Sequence, residues 1–188
     1  MTLGKQVFGK AKAGAVAGIV GGMALASSFM GIDSHLSVPP GTFYKIIGLL
    51  LGLTATDAIL VGFFVHMATA ALIGAVFFVC SILHKILNIT SFQKGVFAGG
   101  VTGLVVFAVF FLPINLFIMI PSVHQILVDS DQFGLTAQET ESIKKMTENT
   151  DQILRGSLIL HILYGVVMGF FSGIMLPEEY KKVQSRTE

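Results

Sequence analysis

Two histidines stand inside long apolar stretches of this 188-residue chain, and small residues follow each at four-residue intervals: His66-Ala70-Gly74 and His161-Gly165-Gly169-Gly173. An ionisable side chain is costly to bury in hydrocarbon, so it faces protein or water and is the first place to look for chemistry. Neutral imidazole allows three roles. Each histidine can hydrogen-bond a carbonyl or hydroxyl across a close helix contact, with Thr69 and Ser157 as candidate partners. The pair can ligate copper or a haem b iron, for which imidazole is an ordinary ligand. Or the pair can relay protons or line a permeation path. Tight helix packing alone accounts for the neighbouring glycines. The chain has no tryptophan and no arginine pair suited to haem propionates. The structural role therefore carries the most weight.

Other polar residues offer less. Asn115 follows Pro113 closely and is expected to bond backbone freed by the proline. Asp57 suits the positive end of a helix. His35, His124, Asp129 and Asp131 could gather around a metal, but their spacing matches no ligand motif. Cys80 is the single cysteine, so no internal disulfide is available, and packing is its expected role. A Walker A loop, a dinucleotide-binding glycine fingerprint, HExxH, CxxC and Gly-Xaa-Ser-Xaa-Gly are all missing. No catalytic residue and no resident cofactor are expected, and nothing basic enough for nucleic acid is present.

The elements that must position these residues are membrane helices. The chain is 53% hydrophobic and 12% charged, with a mean hydropathy of +0.80, far from the globular range. Four stretches, about 13–31, 57–83, 95–120 and 153–176, each meet the roughly 20 residues needed to cross about 30 Å of hydrocarbon. Gly14, Gly18 and Gly22 mark the first; Gly95, Gly99 and Gly103, shifted by a constant 81, mark the third. The His66 series maps onto the His161 series with a constant shift of 95. Small residues at i, i+4 and i+8 line one helix face and let a neighbouring backbone approach. The expected fold is all-α, a single membrane domain over residues 1–188 with four transmembrane helices. It comprises two parallel helix-pair repeats, 10–85 and 91–180. A pseudo-two-fold along the membrane normal would place His66 and His161 at the same depth.

Charge sorts by connection. Lys5, Lys10 and Lys12 precede the first stretch, Lys85 and Lys94 bracket the middle connection, and Lys181, Lys182 and Arg186 follow the last. The connections 32–56 and 121–152, with the start of the last stretch, hold Lys45, Lys144, Lys145 and Arg155 against Asp33, Asp129, Asp131, Glu139, Glu141, Glu148 and Asp151. The positive-inside rule then predicts cytoplasmic termini, external acidic loops and a multi-pass protein of the cell membrane. The early lysines with Ala24-Leu25-Ala26 also resemble a cleavable leader. The glycine alignment of the first stretch with the third argues for a retained span. Within the loops, Pro39-Pro40-Gly41 marks a turn, and Ile46–Leu53 is too short to span. Thr56 is the expected cap of the second helix, and Thr136 to Glu139 reads as a capping box. Pro113 is expected to kink the third helix and Pro121 to end it.

The segments Gly62-Phe-Phe-Val-His66-Met-Ala-Thr-Ala70-Ala-Leu-Ile-Gly74 and His161-Ile-Leu-Tyr-Gly165-Val-Val-Met-Gly169 resemble the HxxxGxxxG spans of small four-helix membrane proteins of the YagU-like kind. Ala70 departs from that pattern. The resemblance covers most of the membrane part and implies the fold but no chemistry. In size and texture the chain is also similar to small accessory subunits of archaeal ammonia monooxygenase. That similarity implies a helical subunit beside a copper enzyme, contributing no ligand. The expected function is a non-catalytic structural or accessory subunit of a larger membrane complex, with other subunits, its own copies or lipid as partners. The alternative is a small channel or transporter for a cation or small solute, and the third reading is a bis-histidine haem protein.

Overall fold

The computed structural model describes the backbone of residues 3–83 and 87–184 and the side chains of residues 7–83 and 87–176. Lys85 and Arg186, and the side chains of Lys5, Lys181 and Lys182, lie outside the described residues. The chain is all-α, with no strand among the described residues. Its helices are α1 (Leu3–His35), α2 (Thr42–Leu50), α3 (Ala55–Leu83), α4 (Phe92–Val128), α5 (Ala137–Glu148) and α6 (Thr150–Gln184). Four stretches are long and apolar enough to cross a membrane: Val7–His35, Ala55–Leu83, Phe92–Val128 and Thr150–Leu176. This is a multi-pass membrane protein.

Helix α4 is longer than its prolines predict. Pro121 does not end it; the helix continues to Val128. Two π-helical turns, Phe107–Phe111 and Asn115–Met119, lie in the proline-containing region. In them Leu112 N–H bonds the Phe107 carbonyl and Ile120 N–H bonds that of Asn115, each five residues back. Proline removes one N–H and crowds the carbonyl four residues earlier. Widening the turn to a five-residue spacing accommodates both defects without breaking the helix.

The connections are more ordered than a loop reading allows. Helix α3 begins at Ala55 rather than after Thr56, and Ala55 N–H reaches the Phe133 carbonyl at 2.9 Å. One of the orphan donors of its first turn is thereby satisfied. The capping box forms as the sequence predicts: Glu139 N–H donates to Thr136 Oγ1 at 3.3 Å, and Thr136 N–H donates to Glu139 Oε2 at 2.8 Å. Although α5 looks polar nearly all round, it buries Ser142, Ile143 and Met146.

The chain divides into two compact units that cut across the sequence repeats. The first comprises Met1–Leu25, Met67–Val105 and His161–Glu188; the second comprises Ala26–His66 and Val106–Leu160. Phe78, Met168, Ser172 and Leu176 are fully buried in the first, as are Phe29, Leu49, Ile143 and Met146 in the second.

Candidate functional site

In the first unit, the glycine series come together antiparallel. A Cβ added at Gly14 would meet the backbone of Gly74, and one at Gly18 would meet that of Ala70. A Cβ at Gly99 would lie 2.7 Å from Gly169 Cα, and one at Gly95 would lie 2.7 Å from Gly173 Cα. Gly103 and Gly165 face the His161 carbonyl and the Gly99 carbonyl, respectively. Helix α1 thus lies against α3, and α4 against α6, at backbone contact. Gly22 differs from its counterpart Gly103. Its added Cβ would lie 2.8 Å from Ala70 Cβ and 3.4 Å from the Met67 thioether, so side chains rather than backbone fill that level.

Tyr164 joins these surfaces. Its phenol donates to the Ala70 carbonyl at 2.8 Å, and an added Cβ at Gly21 would lie 2.9 Å from its ring. The sequence reading did not single out Tyr164. Its position one residue before Gly165, beside the small-residue face, was the available signal. His161 is buried, and its carbonyl oxygen faces Gly103. Cys80 is a half-buried free thiol.

In the second unit, α2 folds back antiparallel along α3. An added Cβ at Gly48 would lie 2.6 Å from the Ala58 carbonyl carbon, and one at Gly62 would lie 2.9 Å from that of Tyr44. Seven of the nine α2 residues are buried, so it is a packed hairpin arm and not a surface helix. Gly41, its N-cap, has φ 87° and no side chain with which to cap. Asp33, only 1% exposed, supplies the acceptor: its Oδ2 takes the Gly41 N–H at 2.7 Å. A carboxylate at a helix N-terminus also meets the positive end of the dipole.

His66 is half-buried at the start of this hairpin, with its ring 6.2 Å from Phe43 and 5.6 Å from Tyr44, edge-on to both. Phe43 stacks on Phe29 at 4.3 Å. Burial, then the Asp33 charge, holds the Tyr44 phenol above its ordinary ionisation range. Lys45, 10% exposed at its side chain, pairs with Glu139, fastening α2 to the cap of α5. That hydrogen bond, then the Thr136 N–H, depresses the Glu139 carboxyl to about 2.

The small residues near the histidines lie against helix backbone. Gly62 lies against Tyr44 backbone, Gly165 against Gly99, and Ala70 beside Gly18. His35 Nε2 sits 3.1 Å from Gln152 Nε2. No group of three or more His, Cys, Asp or Glu that could hold a metal occurs among the described residues. Asn115 does not bond the backbone as expected. Its Nδ2 points at Met119 Sδ, 3.8 Å away, and its buried Oδ1 has no partner. Compared with family models, curated proteins and solved structures, the chain matches none.

Proposed function

We propose that this protein is a non-catalytic structural subunit of a larger membrane assembly. One observation carries this reading: four hydroxyls within the spans are used to hold backbone. Ser81 donates to the Phe77 carbonyl, Thr102 to Ala98, Ser172 to Gly169 and Tyr164 to Ala70, all at 2.7–2.8 Å. Such bonds tie off hydroxyls that would otherwise be costly in hydrocarbon. They leave little to line a hydrophilic route. The small-residue faces act as a glycine zipper within the chain. Its outer surface is large and apolar, including Phe97, Phe110 and Phe117, and would be covered by lipid or by neighbouring subunits.

The orientation that goes with this reading has both termini in the cytoplasm, because basic residues flank the ends and the middle connection. The α2 hairpin and α5 then form an external cap. Reporter fusions at each terminus and in the 129–135 segment test that orientation.

The deciding experiment is extraction from native membranes in mild detergent, followed by sizing, mass spectrometry and an absorption spectrum. Fixed-stoichiometry co-migration with other subunits supports the proposal. A lone colourless particle overturns it in favour of a small channel or transporter. A Soret band overturns it in favour of a bis-histidine haem protein.

A further inference from the structure

The strongest unexplained feature lies in the second unit, away from the glycine faces. Asn115 is 6% exposed, opens the second π turn of α4, and lines a small cavity of about 30 Å³ with Phe43, Met119, Met146, Thr147 and Thr150. Its carboxamide oxygen is buried without a partner. Two threonines of the lining already have their hydroxyl hydrogens committed: Thr147 Oγ1 donates to the Ile143 carbonyl at 3.0 Å and Thr150 Oγ1 to the Thr147 carbonyl at 2.6 Å. The oxygens around this cavity are therefore acceptors. What complements them is a compact molecule with at least two hydrogens to donate. A cavity that holds a water needs roughly 10–15 Å³ and two to four polar partners. The volume meets the first requirement, and the Asn115 carboxamide and the two threonine hydroxyls in the lining are the polar groups available for the second.

We propose that the cavity beside Asn115 binds an ordered water, which donates to Asn115 Oδ1 and to a threonine hydroxyl oxygen. The water bridges the π turn of α4 to the junction between α5 and α6. It satisfies the carboxamide that the proline-rich segment leaves without a backbone partner. The site does not depend on membership of a larger complex.

Hydroxyl-radical footprinting by X-ray pulse on the intact protein in detergent tests this, because radicals form at bound water and oxidise adjacent methionines. Met146, 2% exposed, is the reporter, and Met168, 0% exposed in the first unit, is the dry control. The expected result is oxidation of Met146 well above Met168, and loss of that labelling in Asn115→Leu with the melting temperature retained. Thr150→Val, which removes one acceptor and keeps the side-chain shape, lowers the labelling in the same direction and decides the matter should Asn115→Leu fail to fold. Protection of Met146 equal to that of Met168 in the wild type overturns the proposal. So does Met146 labelling that neither substitution changes.

Discussion

Tyr164 Oη donates a 2.8 Å hydrogen bond to the carbonyl oxygen of Ala70, the residue whose backbone also faces Gly18. The close approach of α1 to α3 and the reach of the phenol from α6 thus converge on one peptide group. Tyr164→Phe keeps the ring against Gly21 and removes only the hydroxyl. Interhelical hydrogen bonds in membranes average about 0.6 kcal/mol and reach about 2 kcal/mol, so a loss in that range is expected. Reversible unfolding in mixed micelles measures it, and an unchanged midpoint would show that the bond contributes nothing.

Glycine substitutions should separate by position. Gly18→Leu and Gly169→Leu each drive a side chain into a facing helix backbone and are expected to abolish the folded particle. Gly31→Leu adds bulk where nothing lies within 4 Å and is expected to fold normally. Size-exclusion profiles of the three variants check this, and comparable profiles for all of them would remove the packing argument.

Asp33 should be needed for its acceptor rather than its charge. Asp33→Ala leaves the Gly41 N–H without a partner in a buried site, a cost of about 1–3 kcal/mol. Asp33→Asn retains a carbonyl oxygen for that N–H and is expected to recover most of the stability. Thermal midpoints in the same detergent read the difference, and equal losses in both variants would contradict it.

The Lys45–Glu139 pair sets an acid response. Glu139 is held at about 2, below the 4.5 of an ordinary glutamate, so the folded state favours the ionised form. For an acid depressed in this way, its contribution to stability is full above the ordinary value and fades as pH falls toward the lowered one. Hydrogen exchange in α5 is therefore expected to accelerate as pH drops through about 4.5 toward 2 beyond the intrinsic pH effect, and Glu139→Gln should raise it already at neutral pH. Exchange in α5 that is indifferent to both changes would remove the pair's fastening role.

Much of the first unit was legible because small residues at four-residue spacing have one strong physical meaning in an apolar helix. The constant shifts of the glycine series correspond to the facing pairs Gly18 with Ala70 and Gly99 with Gly165. The second unit was harder to read. Ala58 and Gly62 continue the series through His66, Ala70 and Gly74, and Gly48 stands in the apolar run that meets them. That extension was available in the sequence, but a nine-residue helix is too short to announce itself by periodicity. Asp33 caps a helix from eight residues away, beyond the range of any local capping rule. Pro121 misled because a π turn offers a way through that residue type alone does not reveal. Asn115 was visible as a candidate, whereas its failure to reach the backbone depends on side-chain packing.

The stripe along α3 serves two neighbours, α2 at Ala58 and Gly62 and α1 at Ala70 and Gly74. Gly48 and Ala58 are only ten residues apart, whereas Gly18 and Ala70 are separated by fifty-two. Closing the shorter loop costs less chain entropy. The α2–α3 hairpin can therefore zip as soon as both arms have left the ribosome. On that order, the pairing of α1 with α3 is made on a helix whose other end already has a neighbour. Sequence separation thus favours the contact of the nine-residue α2 over that of α1 as the earlier one to form on α3.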